Sequence, residues 1–117
     1  MKIEIEIPDS LIDTVIQGIM ENYPEAGAGN SLKCTKYRYD ALKFTFEDEE
    51  SGKYYSLGKS ALRHTFPLLF TDKWPKGCTP VPCSNDAEVW DDWLCQCDAT
   101  DFDAFVQLAC LGEVIYG

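Results

Sequence analysis

Residues 98–117 read DATDFDAFVQLACLGEVIYG. Phe102, Phe105, Val106, Ala109 and Cys110 recur at helical spacing and form one apolar stripe. Thr100 with Asp103 resembles a capping pair for that helix, with Asp where Glu is usual. Gly112 is a helix stop of the left-handed type. EVIY (113–116) then has the length of one edge strand. Chain ends fray unless something ties them down. This end therefore predicts a segment built into the fold, as a strand at the edge of a sheet.

The rest of the sheet is read from period-two patterns. KIEIEI (2–7) places Ile3, Ile5 and Ile7 on one face, and Pro8 ends it. LKCTKYRYD (32–40) and ALKFTFEDE (41–49) read as two strands; in the second, Leu42, Phe44 and Phe46 alternate with Lys43, Thr45 and Glu47. EESGK is a turn, and YYSL (54–57) a further short strand. Helices flank these. In DSLIDTVIQGIMENY (9–23), Leu11, Ile12, Val15, Ile16, Ile19 and Met20 share a face, with Asp9 or Ser10 as the cap. Gly18 inside that helix costs about 1 kcal/mol against Ala, which calls for a close neighbour. GKSALRHTF is a short helix disturbed by Pro67. DAEVWDDWLCQC (86–97) is a helix with Val89, Trp90, Trp93, Leu94 and Cys97 on one face and Ser84, Asn85 or Asp86 as its cap. Between them, residues 71–85 form a long loop with three of the six prolines. The expectation is one α+β domain over residues 1–117: a small, mostly antiparallel sheet of four to five short strands, with three to four helices packed on it.

Composition narrows the function classes. At 117 residues and 45% hydrophobic content the chain can bury a core. No run approaches the roughly 20 apolar residues of a membrane span. MKIEIEIPDS lacks the pattern of a secretory leader, so a cytoplasmic location in a host cell and reduced thiols are expected. Net charge is −10, unevenly spread: residues 77–117 hold eight acids and no Lys or Arg. Such a one-signed segment repels nucleic acid, arguing against direct nucleic-acid binding, and attracts basic protein surfaces; it also serves as a solvated face.

The last twenty residues resemble the ending of a group of small phage and prophage proteins, which finish in a pattern such as D-x4-D-x3-Q-x-A-x-F-G-E-x-x-Y-G. The matching positions are Asp98, Asp103, Gln107, Ala109, Gly112, Glu113, Tyr116 and Gly117. FEDEESGKYYSL is similar to the central hairpin of that group, and the opening strand and helix are similar too. The chain departs from it in GAGNS (27–31), where the group often has an aromatic pair, in Leu111, and in the loop over 71–85. The resemblance implies a phage origin and no chemistry.

Candidate chemistry is sparse. Cys78, Cys83, Cys95 and Cys97 supply enough thiols for a zinc staple, but C-x-C crowds its ligands and puts them about 200° apart on a helix; a Cys78–Cys83 disulfide or free thiols fit the spacing better. His64 is the lone histidine, and nothing in the sequence brings a cysteine to it. No nucleophile, base and oxyanion donor group together, so the chain reads as a non-enzyme. Acids at helix starts suit the helix dipole on their own account. As a binding surface, Glu88, Asp91, Asp92, Asp98 and Asp101, with Trp74 as an aromatic anchor, would meet a basic partner. The leading expectation is a phage-encoded inhibitor of a host defence complex, of anti-CRISPR or anti-restriction type. The alternatives are a protein that sequesters a small nucleotide signal near GAGNS, Lys33, Lys36 and Arg38, and a zinc-stapled structural phage component.

Overall fold

A computed structural model describes residues 6–26 and 32–116. The chain is α+β, with one three-stranded antiparallel sheet in the order β1–β2–β3 and four α-helices. The order is α1 (Asp9–Ala26), β1 (Lys33–Arg38), β2 (Lys43–Asp48), β3 (Lys53–Leu57), α2 (Lys59–Thr65), a 3-10 helix (Phe66–Phe70), α3 (Ala87–Gln96) and α4 (Ala99–Leu111).

Two hairpins make the sheet. Tyr37 faces Phe44, and Arg38 faces Lys43; a bulge at Thr35–Lys36 shifts the first pairing. Leu42 takes a left-handed φ of 49° in the connecting turn, unusual for a branched side chain, while its side chain stays buried. The second turn uses Gly52 at φ 76°, and Glu50 N donates to Asp48 Oδ1. Phe44, Phe46 and Asp48 point inward, towards the helices. On that side α1 buries Val15, Ile16, Ile19, Met20 and Tyr23, with Tyr23 edge-on to Phe46 at 5.6 Å. Gly18 has the close neighbour its position demands: a Cβ there would lie 2.7 Å from Leu94 Cδ1 of α3.

The expected count of four to five strands is corrected to three among the described residues. Residues 1–5 of the KIEIEI stretch lie outside the described residues, and residues 6–8 form no strand. EVIY is not a strand either. It is held by a side chain. Gln107, fully buried in α4, accepts from Ile115 N and Tyr116 N at 2.9 Å each and donates to Tyr116 O at 3.1 Å. A primary amide carries the same donor and acceptor as a peptide, so Gln107 pairs with this segment as a neighbouring strand would. Gln107 Nε2 also donates to Asp103 Oδ2 at 2.9 Å, and Tyr116 Oη donates to Asp48 Oδ2 at 2.9 Å, tying the segment to the sheet.

The cap of α4 also differs from expectation. Asp98, not Thr100, is the N-cap, and Asp101, not Asp103, completes the box, because the helix begins at Ala99. Asp103 is engaged by Gln107. Gly112 closes the helix at φ 79°, and Lys73 Nζ donates to its carbonyl.

Gln107→Ala removes the partner of two part-buried backbone amides and opens a cavity at a fully buried position, so urea denaturation should show a loss of about 2–4 kcal/mol. Tyr116→Phe, which keeps the ring and loses only the bond to Asp48, should cost less. A second expectation concerns acid. Arg63 donates to both carboxylate oxygens of Asp13 at 2.7 Å, and that bond holds the Asp13 pKa below its ordinary value. Burial pushes Asp48 up, but donation from Tyr116, Ser51 and the Glu50 amide outweighs it and leaves the pKa lowered. Lowered carboxylates stabilise above their unfolded pKa of about 3.9, and the contribution is lost as pH falls through the folded value. Stability measured from about pH 5 to about pH 2 should therefore fall on the acid side, and Asp13→Asn should flatten that fall.

Candidate interaction surfaces

α3 is positioned by its tryptophans. Trp90 and Trp93 are buried, at 5.3 Å and nearly perpendicular, and Trp90 Nε1 donates to Ser84 O. Asp86 caps the helix by accepting from Glu88 N. The opposite side is left to solvent, and Glu88, Asp91, Asp92 and Cys95 are all exposed there. Among the described residues the ion pairs are Arg38–Asp40, Arg63–Asp9 and Arg63–Asp13, so none of the three α3 acids is neutralised.

Two of the expected surface residues lie inside. Trp74 is 8% exposed, and its Nε1 donates to Thr79 O at 3.0 Å; the long loop folds it back onto Trp93 rather than presenting it. Asp101 is 2% exposed and accepts from Thr79 N and Thr79 Oγ1 at 2.7 and 2.8 Å, pinning the same loop to α4. Both are withdrawn from the surface as structural residues. Asp98 is exposed, but its carboxylate is engaged by the backbone amides of Thr100 and Asp101. Val89, read as part of the inward face, is 37% exposed.

An exposed aromatic that sequence reasoning missed is Phe70, 42% exposed, with its ring 6.2 Å from Trp90. Its signal was the 3-10 helix after Pro67. At three residues per turn Phe66 and Leu69 stack inward, and Phe70 is turned out of register with them.

The four cysteines are not gathered. Cys83 and Cys95 are exposed, Cys78 is buried and Cys97 half-buried; among the described residues no three His, Cys, Asp or Glu side chains converge to hold a metal. Two-residue spacing at the end of α3 sends Cys95 outward and Cys97 inward, which is the physical reason. Burial, with Asp101 adding to it, pushes both Cys78 and Cys97 up to about 12; burial does the same for Cys110. These thiols are protonated at neutral pH and are poor nucleophiles. His64 is exposed and lines a depression with Asp9, Ile12, Lys59, Ser60 and Arg63, with no cysteine among them.

A larger concavity, of about 580 Å³, lies on the sheet. It is lined by residues of all three strands, Lys36, Arg38, Lys43, Thr45 and Ser56 among them, and by Gly58 at the start of α2. The GAGNS loop expected beside such a site lies outside the described residues.

No family model matches the chain, and no curated protein or solved structure does. No helix among the described residues is long and apolar enough to cross a membrane. With a neutral thiol reagent under native conditions, Cys83 and Cys95 should react first, and Cys78, Cys97 and Cys110 only on unfolding; mass spectrometry of the labelled peptides reads the order.

Proposed function

We propose that this chain is a non-enzymatic, phage-encoded interaction protein that inhibits a host defence complex by binding a basic protein surface. The observation that carries the reading is the set of exposed, unneutralised acids on the solvent side of α3. Glu88, Asp91 and Asp92 occupy that solvent side, opposite the buried Trp90 and Trp93. Charges of one sign on such a face steer encounter with a basic protein surface and select the partner. The phage-like ending of the chain and the lack of any Lys or Arg in residues 77–117 support a basic target in a host cell. A defence complex that handles nucleic acid has the basic grooves such a face would meet.

The test is affinity capture from a host expressing CRISPR or restriction systems, with purified partner then titrated. Binding should weaken steeply with salt. Glu88→Lys, Asp91→Lys and Asp92→Lys combined should abolish it. A partner bound equally well by the triple-lysine variant would overturn the proposal.

A further inference from the structure

We infer that the concavity on the outer face of the sheet is a binding site for a small, multiply charged organic phosphate of the nucleoside diphosphate class. The argument starts from the register. Arg38 lies directly opposite Lys43 in the β1–β2 ladder, so the two cations share one face. Lys36 lies opposite Thr45, two residues along β2 from Lys43, and so joins the same face on the diagonal. Like charges in directly opposed positions destabilise a sheet. The chain has 20 acids and only 10 Lys and Arg, so neutralising partners are plentiful. Yet Lys36 and Lys43 have no ion-pair partner among the described residues, and Arg38 meets only Asp40, at 3.4 Å with both side chains largely in water. Two of these three grouped cations have no counter-charge among the described residues of the fold. A bound anion supplies it.

The lining completes the match. Thr45 and Ser56 are paired across β2 and β3, and their hydroxyls lie 3.4 Å apart in the concavity, beside the cations. Hydroxyls and guanidinium or ammonium groups are the donors that take phosphate oxygens. Between these rows the side chains of Tyr37, Phe44 and Leu57 turn to the opposite face of the sheet, and the aliphatic stems of the lysines supply apolar surface on this one. A volume of about 580 Å³ falls in the ordinary range for small-molecule sites, about 300–1,000 Å³. Three positive charges call for more than one negative charge, and a volume well beyond that of an inorganic anion calls for an organic group attached to it. The site stands apart from α3, so it neither needs nor excludes the protein-binding face.

Calorimetric titration of the full chain at low salt, with ADP, pyrophosphate and adenosine as probes, tests this. ADP should saturate with one site, pyrophosphate should bind more weakly, and adenosine should not bind. Lys36→Gln with Lys43→Gln should weaken ADP at least tenfold. Ser56→Trp, which fills the concavity from an exposed strand position without changing charge, should abolish binding while circular dichroism remains that of the parent. No saturation by ADP at millimolar concentration overturns the inference. So does ADP binding that neither variant changes, and so does saturation by pyrophosphate alone, which would leave the organic part of the ligand without a site.

Discussion

The structure turns on one buried amide. Gln107 sits inside α4 and offers its carbonyl and amino group to the backbone of residues 115 and 116. Buried backbone groups must find partners, and a segment lying over a helical layer has no strand edge to use. The side chain supplies that edge. Asp103 orients the amide from one turn earlier in α4, and Tyr23 Oη of α1 lies 3.4 Å from Asp103 Oδ1, so the same network reaches the central helix. Tyr116 Oη then carries it to Asp48 at the end of β2. Helix layer, final segment and sheet are thereby joined by polar contacts inside an otherwise apolar core.

This changes the meaning of the phage-like ending. Asp98 caps α4, Asp103 and Gln107 form the amide clamp, Gly112 ends the helix in the left-handed conformation, and Tyr116 closes the link to the sheet. The described positions that carry the resemblance are largely those that lock the segment down. They account for architecture, and binding must be sought on other surfaces.

The sequence was most legible where one period dominates. Phe44 and Phe46 alternate as a half-buried strand must, and the stripes of α1, α3 and α4 mark their inward faces. It was least legible where a side chain replaces backbone. EVIY has a strand's composition, but period two does not say whether its partner is a strand or a glutamine. Gly18 announced a close neighbour, yet only the packing names Leu94. Among surface candidates, Glu88, Asp91 and Asp92 were readable from helical phase. Trp74 and Asp101 were not, because both serve a long loop whose path depends on Thr79 accepting and donating at the right places. Period two puts Lys36 and Arg38 on one face of β1, but only the register of the hairpin sets Lys43 opposite Arg38.

The exposed charges include two groups of opposite sign. The interior thiols are held protonated, and the acids of α3 and the cations of the sheet occupy separate surfaces. Both surfaces rest on the helix–sheet frame that the Gln107 clamp secures. The most direct measurement of that clamp is amide hydrogen exchange at Ile115 and Tyr116 in the native protein. With Gln107 acting as a strand edge, both amides exchange at least about 100-fold more slowly than in an unstructured peptide, although neither belongs to a helix or strand. Exchange at the unstructured rate would mean that the amide pairing does not hold the segment, and the account of this fold would fail at its centre.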